Sequence, residues 1–437
     1  MARTGRPVRR RGRQMKSGFR WWIISLIAVA TVINYIDRNA LAVMWPAVAK
    51  DIGADKEDYA LLVTIFMVFY ALGQSLFGKI FDVVGTRMGF AISIIVWSLS
   101  IAAHSMVRSM AMLGVLRGTL GISEAGNWPG AAKANATWFP RSERAFAQGI
   151  FNAGASLGAI VSAPLVAILF GLVGWRTTFL IVGVLGFLWL LPWIWVYKSD
   201  PDAHPWLSKA ERDHILGANE RVEGDARPAG YAPSMGQLLR HKQAWAVMAG
   251  RFFLDPIWWL FVSWLPIYLN ESFGFDVKQI GMFAWVPFVG AMLGSLSGGW
   301  LSGKLIQRGW SADKARKLAI TLGCVIMLPA LLLTATASAP LYAVLLIAAI
   351  LFGFQVAINN IQTLPSDWFG GGAVGSLAGI SGTAAVAGTL VTTWLVPVMT
   401  KTSFAPIFIL GAALVPLSLL CIWLGGRIEP VQPKTEN

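Results

Sequence analysis

Asp37 and Arg38 stand side by side in 33-INYIDRNALAVMWP-46, inside a run from Trp21 to Val48 that carries no other charge. As helix at about 1.5 Å per residue, that run is about 42 Å long, enough to cross a bilayer and its interfaces. A charge at membrane depth costs at least about 2.5 kcal/mol on insertion scales, so the pair calls for a use. Adjacent helix positions point about 100° apart, so the two need not face each other. Arg38 shares its face with Asn34, one turn earlier. An interior guanidinium with free donors is a two-pronged fork for a carboxylate; the structural alternative is an ion pair that fixes helix packing.

Glu124, in 117-RGTLGISEAGNWPG-130, is the second interior acid. Arg117 lies on its stripe, about 10 Å along the axis and too far for contact. An isolated carboxylate in such a place can load and release a proton; the structural alternative is an interior Glu satisfied by neighbours. Pro129 leaves the Ala125 carbonyl without its helical donor, which predicts a bend beside Glu124.

Neutral polar residues recur on helical stripes: Tyr70 with Gln74, Asn152 with Ser156, and Gln355, Asn359 and Gln362 with Asn360 beside them, followed by Ser381 and Thr383. Such groups are costly in lipid unless they line a cavity or bond between helices. A cavity so lined suits a polyol. Asp255-Pro256 precedes Trp258-Trp259, whose faces can stack on a sugar ring or pack a helix end. Other patterns carry no chemistry. The stretch 370-GGGAVG-375 fits a dinucleotide fingerprint but lacks the strand–turn–helix context and reads as a loop. The four histidines form no metal or triad pattern, Cys324 and Cys421 lie in separate apolar spans, and there is no phosphate-binding P-loop for ATP-driven pumping.

The chain is 56% hydrophobic and 13% charged, about half the charge of a soluble domain, so it is read as an integral membrane protein. Its net charge of +14 does not point to nucleic acid, because the basic residues sit between apolar spans without a binding motif. The basic start resembles a signal sequence, but the apolar run continues too far and is expected to remain as the first helix. Twelve helices are predicted, near 20–48, 59–82, 87–106, 109–137, 143–171, 176–198, 244–272, 277–303, 315–336, 340–366, 373–400 and 404–426. The expected organisation is a basic N-terminus over 1–19, six helices over 20–198, a polar central loop over 199–243, six helices over 244–426 and a tail over 427–437. Lys and Arg concentrate on the side of the termini and central loop; Lys50, Lys56, Arg108, Arg176, Lys278 and Lys401 alone fall on the other. That asymmetry places both termini and the loop in the cytoplasm.

The segments 78-GKIFDVVGTRM-88 and 298-GGWLSGKLIQRGWSADKARK-317 occupy matching places in the two halves, a weak internal repeat of the parallel kind. Asp82 and Arg87 are expected to bond helix ends and close their turn. The twelve spans, the central loop and the motif Gly78, Asp82, Gly85, Arg87 resemble the major facilitator superfamily. More closely, 34-NYIDR-38, 117-RGTLGISEAGNWP-129, 137-TWFPRSERAFAQGIFNAG-154, 251-RFFLDPIWWLFVSWLP-266 and 298-GGWLSGKLIQRGWS-311 resemble its anion:cation symporter branch, and within it the hexuronate transporters.

That resemblance implies an all-α membrane fold of two six-helix bundles and a proton-coupled symporter of a sugar-acid anion, a hexuronate or related uronate, working by alternating access. It gives the carboxylate to Arg38, proton coupling to Asp37 and Glu124, a substrate contact to Tyr70 and gating to the Gly78–Arg87 motif. Gln74, Asn152, Trp258, Gln355, Asn359, Asn360 and Thr383 complete the expected substrate site. Phe354-Gln355-Val356-Ala357, Ala155 and Thr383 depart from the family's sugar-reading residues. No cofactor is expected beyond the coupling proton, and the partners are a small organic anion and the lipid bilayer, with the chain a monomer in the cell inner membrane. The competing readings are another small organic anion (aldonate, glucarate or carboxylate) carried by symport, uniport or export, and a receptor that senses a sugar acid. No enzyme constellation accompanies the carboxylates.

Overall fold

The computed structural model describes residues 18–198, 200–223, 233–275, 279, 282–369 and 373–431. The basic N-terminal stretch before residue 18, part of the central segment, the first three glycines of 370-GGGAVG-375 and the end of the tail lie outside these residues.

In hydrocarbon every backbone polar group must be satisfied within the chain, and a helix does this locally. The described elements are accordingly helical: α1 Phe19–Ile52, α2 Lys56–Ala103, α3 Met110–Glu124, α4 Asn127–Trp138, α5 Arg144–Val196, α6 Lys209–Glu223, α7 Met235–Leu238, α8 Lys242–Phe273, α9 Val286–Gln307, α10 Ala312–Thr334, α11 Pro340–Ile361, α12 Leu364–Trp368, α13 Val374–Met399 and α14 Ala405–Leu424. Two of them are pairs of spans. Gly85 (φ 81°) breaks α2 and Gly174 (φ 73°) breaks α5, each in a backbone region that side chains bearing a Cβ disfavour. With α3–α4 as one interrupted span and α11–α12 as another, twelve spans form two six-helix bundles.

The first bundle packs α1 on α5 and α2 on α3; the second packs α9 and α10 on α11, with α13 and α14 on α8. The bundles meet along two seams, α2 against α13 and α5 against α9. Glycine makes both close approaches: a Cβ on Gly78 would strike the Gly375 carbonyl, and one on Gly299 the Ala145 carbonyl. The two segments of the sequence repeat therefore lie one on each seam.

The start of α1, α6 and the tail share one face of the molecule, the termini side. Arg20 of α1 donates to Glu211 of α6 (2.8 Å) and to Glu143 (2.7 Å). His214 of α6 bonds Glu143 at 2.9 Å, and Trp368 donates its indole N–H to the Arg427 carbonyl at 2.9 Å. On the opposite face Arg176 and Trp175 hold Asp51 at 2.6 and 2.9 Å. The central segment thus contains a docked helix as well as loop.

Candidate functional site

Between the bundles lies a cavity of about 540 Å³, counting its open mouth and the space between atoms. Five of the expected substrate residues meet there: Tyr70 and Gln74 from α2, Asn152 from α5, Trp258 from α8 and Gln355 from α11. Trp258 stacks on Phe354 at 5.9 Å between centroids, and Tyr35, Trp128 and Trp259 add aromatic faces. Gln362 lines the cavity as well and accepts from Asn152 Nδ2 at 2.8 Å and from Gln148 Nε2 at 2.9 Å, joining the bundles at the cavity floor.

Arg38 lies behind this wall. Its guanidinium carbon sits 4.9 Å from the Tyr70 ring, 5.2 Å from Tyr35 and 5.5 Å from Trp259 of the other bundle. It is not free of partners, nor does Glu124 lack a cation. Arg38 Nε and Nη2 both donate to Glu124 Oε2, at 3.3 and 3.2 Å, and Nη2 also donates to Asn34 Oδ1 at 3.1 Å. The sequence reading placed the nearest cation at Arg117 because same-helix spacing cannot show which residue of α1 faces α3. Among the described residues, Arg38 Nη1 and Glu124 Oε1 have no hydrogen-bond partner. The bend expected beside Glu124 is present: α3 stops there, α4 starts at Asn127, and Asn127 Nδ2 donates to Thr31 of α1 at 3.0 Å.

Asp37 is fully buried and neither of its carboxylate oxygens has a hydrogen-bond partner among the described residues. It does not pair with Arg38. Three expected substrate residues do not line the cavity. Asn359 accepts from Asn152 and donates to the Ser295 carbonyl at 2.6 Å; Asn360 bonds the Gly298 and Val356 carbonyls. Thr383 donates to the Ala71 carbonyl at 2.6 Å and bonds Ser75 at 2.8 Å. All three residues bond between helices, Asn360 also bonding within α11, and the Thr383 bonds cross the α2–α13 seam.

The Gly78–Arg87 motif does bond helix ends, but those of other elements rather than its own turn. Asp82 accepts from the Ser376 and Gly375 amides at 2.7 and 3.3 Å, at the start of α13, and from Lys133 at 2.9 Å. A carboxylate at those amides complements the partial positive end of α13. Arg87 donates to the Ile194 carbonyl near the end of α5.

Sequence reasoning singled out Asp255 but missed its partner Arg251, and it passed over Asp367. Arg251 and Asp255 form a buried pair at 2.7 Å on α8 and both line the cavity; their i, i+4 spacing was the available signal. Asp367 gathers Arg141 and Arg316 at 3.0 Å each and Arg144 at 3.7 Å on the termini side. Nothing in local spacing predicts that meeting, because Arg141 and Arg144 come from the other half of the chain.

Comparison with known proteins places this architecture. Residues 27–354 match the sequence profile described as Major Facilitator Superfamily. The chain is 33% identical over 427 residues to the hexuronate transporter of Escherichia coli K12, covering 96% of this chain and 98% of that one. It is 35% identical over 315 residues to the galacturonate transporter of Dickeya chrysanthemi, covering 71% of this chain and 90% of that one. Among solved structures, the proton:xylose symporter XylE superposes with a TM-score of 0.75 at 14% identity, over 94% of this chain and 98% of that one, a likeness of fold.

Proposed function

The chain belongs to the major facilitator superfamily, a family of multi-pass membrane transporters and not of enzymes, and on that premise we propose that it imports a sugar-acid anion, a hexuronate or related uronate, together with a proton. The observation that carries the reading is the Arg38–Glu124 pair behind the cavity wall. A substrate carboxylate that takes the Nε–Nη2 side of the Arg38 fork competes for the donors that Glu124 now holds. A displaced Glu124 would be a buried carboxylate without its cation, and taking up a proton relieves that cost. One site thereby links anion and proton, with no cofactor besides the coupling ion. Asp37 is the second candidate to carry the proton.

The aromatic faces and amides of the cavity suit a polyhydroxylated ring. The relatives named for hexuronate and galacturonate support that class. Ala155 and Phe354 line the cavity where the family resemblance expects polar residues, which favours a related acid over an identical one. Transport would proceed by alternating access of the two bundles about this cavity, with the protein a monomer in the inner membrane and its termini side in the cytoplasm.

The test is uptake of labelled glucuronate and galacturonate into vesicles bearing the protein, with and without a pH gradient. Accumulation that needs an inwardly directed proton gradient supports symport. Uptake indifferent to the gradient would leave a uniporter, and no uptake of either acid would remove the substrate class.

A further inference from the structure

Arg251 and Asp255 give the cavity a charged pair distinct from Arg38–Glu124, on the opposite bundle. Arg251 Nη2 donates to Asp255 Oδ2 at 2.7 Å and Nη1 donates to Ser381 of α13 at 3.2 Å. The pairing is incomplete, because Asp255 Oδ1 and Arg251 Nε are buried with no hydrogen-bond partner among the described residues. Three more side-chain oxygens of cavity residues lack partners: Gln74 Oε1, Asn152 Oδ1 and Gln355 Oε1. Among the described residues, the buried unpartnered polar atoms of the cavity lining are thus mostly acceptors. A carboxylate can only accept, so the natural partner of Asp255 Oδ1 is a hydroxyl hydrogen. Asp255 also offsets the charge of Arg251, so this end of the cavity is no second anion fork. A ligand carboxylate placed here would set acceptor against acceptor and like charge against like charge.

We propose that Asp255, held by Arg251, reads the hydroxylated end of the sugar acid and turns away sugar acids with a carboxylate at both ends. The proposal rests on the sugar-acid reading above and adds the class within it: monoacids, with aldarates excluded. Arg38 takes the one carboxylate and the α8 pair takes the hydroxyls at the far end of the ring or chain.

The experiment measures binding of glucuronate and galacturonate, and of glucarate and galactarate, to the purified full-length protein. Wild type is expected to bind the uronates at least about tenfold more tightly than the aldarates, the discrimination typical of an unmatched charged hydrogen bond. Asp255→Asn keeps the shape and removes the charge; it should weaken uronate binding and shrink the uronate-to-aldarate ratio by about tenfold or more. Because that variant leaves Arg251 unpaired, the charge-neutral double variant Arg251→Gln/Asp255→Asn is the companion, and it too should lose the discrimination. Aldarates binding as tightly as uronates to wild type would make Arg251 a second carboxylate fork and overturn the proposal. A ratio unchanged in both variants would make the pair purely structural and overturn it as well. Wild type that binds none of the four acids would take down the sugar-acid reading itself, whereas uronate binding without selectivity sinks this proposal alone.

Discussion

Arg38 is charged with two tasks that compete, holding Glu124 and receiving a carboxylate, and single substitutions separate them. Glu124→Gln keeps the shape of the side chain but cannot titrate. Accumulation of substrate against its gradient should vanish in this variant while exchange of labelled for unlabelled substrate partly survives. Continued uphill accumulation would pass the coupling role to Asp37. Arg38→Lys keeps the charge but loses the planar fork. Binding of a uronate should weaken by about 10- to 150-fold, the equivalent of one hydrogen bond to a charged group, and Arg38→Ala should nearly abolish it. The parent aldose, lacking the carboxylate, should bind weakly to wild type and lose little more. Equal losses for acid and aldose would reduce Arg38 to a packing residue. The chemistry of these residues was legible because charges in apolar runs demand a use; their partnership was not, since Arg38 and Glu124 are 86 positions apart.

At the scale of elements, periodicity and punctuation predicted the spans, and the differences have local causes. The turn expected between the second and third spans is made by a single residue, Gly85, whose positive φ and extended ψ break α2 into two helices. The break after Glu124 was foreseen from Pro129, whose ring removes a donor. The helix within the polar central segment was not foreseen, because α6 is amphipathic without being apolar and gains its order from tertiary bonds. Those bonds make a pH prediction. Burial works against ionisation of Glu143, but the bonds from His214 and Arg20 outweigh it and hold its carboxyl below the ordinary value of 4.5. A lowered carboxyl contributes stability that is complete above its unfolded value and is lost as pH falls through its folded value. The contribution of Glu143 to the docking of α6 should therefore be complete near neutrality and weaken once pH drops below about 4.5. Amide hydrogen exchange across α6 reads this directly, and Glu143→Gln should lose the acid-dependent step; a variant that keeps it would place the titration elsewhere.

At the scale of the whole molecule, the polar bonds between bundles continue from the cavity floor to the termini side, and this sets which state the structure represents. Asn152 meets Asn359 and Gln362, Thr383 meets Ala71, Asp82 caps α13, and beyond them Asp367 gathers its arginines. Arg141 bridges most widely. It donates to the Asp367 carboxylate at 3.0 Å, to the Asp367 carbonyl at 3.3 Å and to the Ile428 carbonyl of the tail at 2.9 Å, while Arg316 donates back to the Arg141 carbonyl at 2.8 Å. Separating the bundles on this side must break those bonds, whereas the Arg316–Asp367 pair lies within one bundle and can persist. Arg141→Gln should accordingly weaken the closed arrangement without leaving Asp367 alone. Removing one partner of a buried pair costs about 3–5 kcal/mol, and Arg141, partly open to solvent, should count for less; a shift of only about 1.4 kcal/mol changes the ratio of two states tenfold. A reporter cysteine at Gln362, on the cavity floor, makes the shift measurable. Labelling from the termini side by an impermeant maleimide should speed up severalfold in Arg141→Gln/Gln362→Cys relative to Gln362→Cys alone, with labelling of denatured protein unchanged. Equal rates would mean that the arginine cluster braces the second bundle and does not seal the cavity.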